Sequence, residues 1–146
     1  MLENVKLLLA HGADPSAALA QAVTFGYPDI VRALISAGAP AKLTESSGIN
    51  LLHWAAIANR ADVIPALVEA GVPVNAQDES GFTPLMYAST IDFGDTASLR
   101  ALVKAGADPK IRNGEGRTAI EQARQYLKAV SSQLGTAANN AQSKGN

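Results

Sequence analysis

The chain has 146 residues and a mass of 15.1 kDa, one domain's worth of material, and its 47% apolar content excludes a disordered polymer. A formal charge of −1 and a pI near 6.1, with no basic run interleaved with aromatics, give a nucleic-acid backbone nothing to bind. Cysteine is absent, which excludes disulfides and thiolate metal sites, and the aromatic content of only 5% suits packed helices better than a β-sandwich.

The chain opens on a helical pattern. Val5, Leu8 and Leu9 lie seven, four and three residues before Gly12, a spacing that puts all three on one helical face. His11, just ahead of that glycine, reads as a partner for the last helical carbonyls. The same offsets return before Gly38 (Val31, Leu34, Ile35), Gly71 (Ile64, Leu67, Val68) and Gly106 (Leu99, Leu102, Val103). All twelve residues are large aliphatics, and each glycine sits where a helix is expected to stop with φ above zero. Another helix is marked by Leu19 with Ala22, and by the pairs Leu52 and Ala55, Leu85 and Ala88, Ile120 and Ala123. The small alanine lets two helix backbones come close. Each unit is therefore helix, loop, helix, glycine stop. Pro28 and Pro65 fall in first turns of second helices, where a missing N–H is harmless.

The glycines are 26, 33 and 35 residues apart. From glycine to the next first-helix aliphatic takes 14 residues in three units but only 7 between Gly12 and Leu19, so that link is short. The two extra residues of the last spacing fall in 89–98. Asp92-Phe93-Gly94 there spells the magnesium-binding tripeptide of kinases, but no glycine-rich loop or catalytic loop accompanies it, and Asp95 reads as a cap for the next helix. The three long connections carry polar tips, Glu45-Ser46-Ser47-Gly48, Asp78-Glu79-Ser80-Gly81 and Asn113-Gly114-Glu115-Gly116, which read as short β-hairpins; the short link at 14–18 should lack one. Residues 118–133 form a closing helix with Glu121, Gln122, Arg124, Gln125 and Lys128 opposite Ile120, Ala123 and Leu127, a polar cap for a stack. Met1 to Ala10 reads as the second helix of a unit whose first helix is missing, which points to a fragment of a longer array. Residues 1–133 are assigned to the array and 134–146, without periodicity, to a disordered tail.

The segment Gly81-Phe82-Thr83-Pro84-Leu85 with Ala88, then Leu99 to Val103 and Gly106-Ala107-Asp108, resembles an ankyrin repeat. So does Leu51-Leu52-His53-Trp54-Ala55-Ala56 followed by Asp62 to Val68, Gly71 and Val74-Asn75-Ala76. A period near 33 agrees with that family. The resemblance runs from about Leu2 to Val130. It departs at Asn50-Leu51 and Thr118-Ala119, where only Thr83-Pro84 keeps the family's Thr-Pro, and at Met86 and Glu121, where only His53 keeps its histidine. It implies an all-α solenoid of helix-loop-helix repeats with short β-hairpin fingers, about three full repeats plus a partial N-terminal one. Fingers and first helices would line a concave surface, and His53 would bridge backbone groups near a hairpin instead of serving as a base or metal ligand.

Aligned on glycine, Thr44, Gln77 and Arg112 share one position, Ile49, Phe82 and Arg117 a second, and Trp54, Tyr87 and Gln122 a third. The resemblance implies that these face the concave side. The expected partner-binding set is Thr44, Ile49, Trp54, Gln77, Glu79, Phe82, Tyr87, Arg112 and Arg117: an apolar stripe of Ile49, Trp54, Phe82 and Tyr87 rimmed by Glu79, Arg112 and Arg117, because aromatics bury much area at little entropic cost. The competing reading is that the aromatics pack between repeats. No catalytic or metal set is expected: Asp78-Glu79 sits on a solvated tip, Gly114-Glu115-Gly116 is too short to cradle a phosphate, and His53 has no second ligand nearby. The expected function is a non-catalytic protein–protein interaction module without cofactor, nucleic-acid or membrane partner, and monomeric. The alternative is a structural or regulatory segment that packs against a neighbouring domain of a larger protein. With no secretory signal or membrane span visible, the default location is soluble and cytoplasmic.

Overall fold

The computed structural model describes residues 1–91 and 95–143, with side chains described for these except 17 and 133–143. Eight helices follow one another: α1 (Leu2–Ala10), α2 (Ser16–Phe25), α3 (Pro28–Ser36), α4 (Leu51–Ile57), α5 (Ile64–Glu69), α6 (Pro84–Thr90), α7 (Ala97–Lys104) and α8 (Ala119–Ser143). They stand in two rows. The inner row is α2, α4, α6 and α8, each touching the next; the outer row is α1, α3, α5 and α7, likewise in order. Within units α2 pairs with α3, α4 with α5, and α6 with α7. The two-layer stack exists because one helix pair cannot cover its own apolar side.

The recurring aliphatics fill the space between rows. Leu34, Leu67 and Leu102 of the outer row and Leu19, Leu52 and Leu85 of the inner row are all buried, with Ala22, Ala55 and Ala56 letting the inner helices approach. After each outer helix two backbone bonds close the same Schellman turn: Gly38 N donates to Ile35 O and Ala39 N to Leu34 O, both at 3.0 Å, and the pattern repeats at Gly12, Gly71 and Gly106. Pro28 and Pro65 occupy the first turns of α3 and α5. The link from Asp14 runs straight into α2, its carboxylate accepting Ser16 N at 2.9 Å, and carries no finger.

Helix starts explain the departures at the family's Thr-Pro and histidine positions. Asn50 Oδ1 accepts from Leu52 N and His53 N at 3.0 and 3.1 Å while Asn50 N donates to His53 Nδ1 at 3.1 Å, a reciprocal capping box with imidazole as the returning acceptor. Thr118 and Glu121 build the carboxylate version, with Thr118 N donating to Glu121 Oε2 at 2.8 Å. At α6, Thr83 Oγ1 accepts Met86 N at 3.3 Å, and Met86 returns nothing. Glu121 thus keeps the capping chemistry of the histidine it replaces.

Two expectations need correction. The fingers are not β-hairpins: no strand occurs among the described residues. Each finger is closed by its own turn bonds, and neighbouring tips are joined by one backbone bond (Glu79 N to Ser47 O, 2.9 Å; Gly114 N to Ser80 O, 2.8 Å), too few to make a ladder. The second correction concerns the polar cap. Ile120 and Leu127 of α8 are exposed, because α8 touches only α6 among the described helices and no outer helix stands over its apolar side. No helix among the described residues is long and apolar enough to cross a membrane.

Candidate partner-binding face

The inner helices and the three fingers form one continuous face, and the finger chemistry decides how firmly it is held. In each finger the first tip residue bonds twice across the turn: Glu45 N to Ile49 O and Gly48 N to Glu45 O, Asp78 N to Phe82 O and Gly81 N to Asp78 O, Asn113 N to Arg117 O and Gly116 N to Asn113 O, all at 2.8–2.9 Å. Asp78 and Asn113 add side-chain turns, each Oδ1 accepting two further backbone N–H groups. Gly48 and Gly81 have φ of +81° and +77°, and a Cβ there would lie 2.8 Å from Asp78 Cα and 2.6 Å from Gly114 N. Only glycine lets the tips stack this closely.

A second device repeats at one register. In α4, α6 and α8 a residue near the helix start bonds to the finger residue nine positions earlier: Trp54 Nε1 donates to Glu45 Oε1 at 2.9 Å, Tyr87 OH to Asp78 Oδ2 at 2.7 Å, and Asn113 Nδ2 to Gln122 Oε1 at 3.3 Å. The aromatics are thus tethers as well as surface. Burial, and then the Asp78 carboxylate it bonds, pushes Tyr87 up to about 12.

The expected residues divide into two groups. Phe82 and Tyr87 are half-buried against each other, ring centroids 5.4 Å apart, and Tyr87 stands edge-on to His53 at 5.8 Å. Trp54 and Ile49, also half-buried, line a separate open cleft of about 290 Å³ with Leu43, Thr44, Glu45 and Leu51. Thr44 and Glu79 are exposed at the finger row. Gln77 is exposed but spent on structure, its Nε2 donating to Gly81 O at 2.8 Å and Arg112 O at 2.9 Å. Arg112 Nη1 donates to Gly116 O at 2.6 Å and Glu121 Oε2 at 2.9 Å; Arg117 pairs with Glu115 and reaches Gln122 Oε1 at 3.3 Å. Both arginines fasten finger to helix within their own unit, with guanidinium edges left at the surface.

Leu43 is the residue the pattern overlooks. It is 67% exposed, whereas Ala76 and Ile111, five residues after the later glycines as Leu43 is after Gly38, are half-buried. The cleft also touches Ser16, Leu19 and Ala20, so it occupies the ground a finger from the 14–18 link would cover. The short Gly12–Leu19 spacing was the available signal.

The remaining candidates are structural. His53 is buried; only a donor can face the Phe82 carbonyl 3.0 Å from Nε2, so the proton sits there and Nδ1 accepts Asn50 N. Burial holds its pKa below the ordinary histidine value. His11 Nδ1 lies 2.8 Å from Leu7 O, one of the terminal carbonyls of α1. Asp95 Oδ1 accepts Ala97 N at 2.9 Å at the start of α7, while Asp92-Phe93-Gly94 lies outside the described residues. The Asp78 carboxylate is already taken by Tyr87, Ser80 and Phe82. Among the described residues no three His, Asp or Glu side chains gather to hold a metal ion. What the face offers is apolar area between fixed hydrogen-bonding groups.

The family model for ankyrin repeats, in three copies, matches residues 19–113 of the chain. No curated protein matches it.

Proposed function

The chain belongs to the ankyrin-repeat family, and from that premise we propose that it binds a protein partner through the concave face of fingers and inner helices, centred on Trp54. Ankyrin repeats are generally protein–protein interaction modules and generally non-catalytic, so the question is which surface does the binding. The observation that carries this reading is the open cleft in which Trp54, Ile49 and Leu51 stand beside the exposed Leu43. A rigid aromatic, already oriented by Glu45, loses little freedom on docking, and an apolar side chain from a partner would displace water from the surrounding aliphatics. Phe82 and Tyr87 extend the contact along the finger row, with Thr44, Gln77, Glu79, Arg112 and Arg117 as a polar rim. Rim charges of this kind tune encounter and register more than affinity.

Trp54 is the chain's single tryptophan, so its emission reports directly on this face. Wild type and the Trp54→Ala and Leu43→Glu variants, each shown to be folded by circular dichroism, are used to capture proteins from the native extract. The expected result is a captured species that is lost with both variants and that, once purified, shifts Trp54 emission. Equal capture by all three, with emission unmoved by the purified species, would remove this face from consideration.

A further inference from the structure

Register exposes two aliphatic faces at opposite ends of the stack, and each is the shape of the other's missing neighbour. Leu8 of α1 occupies the position of Leu34, Leu67 and Leu102, all fully buried, yet is 61% exposed, because no inner helix stands over it among the described residues. Ile120 of α8 occupies the position of the buried Leu19, Leu52 and Leu85, yet is 60% exposed, because no outer helix stands over it. Beside Ile120, Val103 of α7 and Leu127 of α8 are also exposed, and with Leu99 and Ala123 they line a groove of about 550 Å³ between α7 and α8.

We infer that α1 of a second copy seats in the groove between α7 and α8, so that copies of this chain associate head to tail. The groove continues an interface the molecule already uses: α3 packs on α1, α5 on α3 and α7 on α5, and an incoming α1 on α7 is the next member of that row. The same placement gives α8 an outer helix and α1 an inner one, so Ile120 meets Leu8 as the first-helix leucines face the second-helix trios within each intact unit. It also brings α2 of the incoming copy alongside α8, continuing the inner row. The side chains of α1 bring no net charge into the groove, since Glu3 and Lys6 pair with each other at 2.9 Å. A head-to-tail contact joins two different surfaces, so it propagates into longer series or closes as a ring; a two-fold dimer would join a surface to itself.

The test is mass against concentration for the full 146-residue chain by sedimentation equilibrium. The weight-average mass should climb from 15.1 kDa past two chains as concentration rises. Leu8→Glu blocks the inserting face and Ile120→Glu the receiving one; both positions are exposed, and each variant alone should stay at one chain. Mixed in equal amounts they should form a species that stops at two chains, because only the intact α1 of one and the intact groove of the other can meet. Leu127→Glu, one helical turn or more from Ile120, repeats the groove test if Ile120→Glu melts early. A wild type that stays at 15.1 kDa up to its solubility limit overturns the inference. So does a Leu8→Glu chain that still dimerises, which would mean groove-to-groove contact, and so does a mixture that remains at one chain.

Discussion

Ser98 offers the sharpest test of the repeat register. It lies eight residues before Gly106, the position held by Ile30 before Gly38 and Val63 before Gly71, and all three are buried. Ser98 is only 2% exposed, and its hydroxyl finds no hydrogen-bond partner among the described residues. A hydroxyl buried without a partner costs about 1–3 kcal/mol relative to its hydrated state. Ser98→Ala removes that penalty and leaves a gap of roughly one atom, so a net gain of about 1 kcal/mol is expected. Ser98→Val adds methyl groups that contribute ~0.8 kcal/mol each where they fit, as Val63 fits, against ~1–3 kcal/mol if the site is already full. The alanine variant therefore tests the hydroxyl and the valine variant tests the space. In urea, the midpoint should rise at constant slope for Ser98→Ala, and the melting temperature by about 3 °C for a chain of this size. A lower midpoint for Ser98→Ala would mean that the hydroxyl stabilises the fold, and the equivalence of α7 with α3 and α5 at this position would fail.

Leu67→Ala should lose about 2–5 kcal/mol, whereas Leu8→Ala, the same substitution at the equivalent but exposed position, should change stability by less than about 0.5 kcal/mol; equal losses in urea would contradict the stacking account. His53 is held neutral by burial, so near and below the ordinary histidine value of 6.5 the unfolded chain binds a proton that the folded chain does not. The stability this confers is complete above about pH 6.5 and is lost as pH falls below that toward the depressed folded value, so wild type should lose melting temperature as the solution is acidified below about pH 6.5, and His53→Gln should flatten that slope. The carboxylates of Asp14, Asp95 and Glu121, lowered by their hydrogen bonds, act only in more acidic solution. Tyr87 should ionise near 12 against an ordinary tyrosine value of 10.0; because its folded value is raised, by burial first and then by Asp78, the stability linked to its protonated form is full below pH 10 and is lost as pH rises through 12. An absorbance titration should show a late step that disappears in Tyr87→Phe; a folded wild type whose titration shows no step that Tyr87→Phe lacks near pH 12 would refute the shielded, tethered hydroxyl.

The parts of this molecule that could be read from its residues are those where one physical demand recurs. Leu34, Leu67 and Leu102 had to be aliphatic for the same reason three times, and the offset from a glycine stop exposed the reason without coordinates. The missing finger at 14–18 was legible on the same ground, as a broken member of the series, whereas the bridging role of His53 came from the family resemblance, since the later units carry Met86 and Glu121 there. The fingers were not legible, because alternating residues around a Gly-bearing tip fit a β-ladder and a stacked turn equally well; only the single bond joining each pair of tips tells them apart. Ile120 misled for a related reason. Its residue type reports the environment of its repeat position, whereas its exposure depends on a neighbour that the chain does not supply within the described residues. The aromatics combine both difficulties: Trp54, Tyr87 and Gln122 share a register because each tethers a finger, and that constraint alone can select a long side chain with a polar end. What separates Trp54 from the other two is the uncovered apolar ground around it, created seven residues' worth of missing chain away. Function here is most visible where the repeat is broken, since an intact repeat explains its own side chains and a broken one leaves apolar surface that packing within the chain does not use.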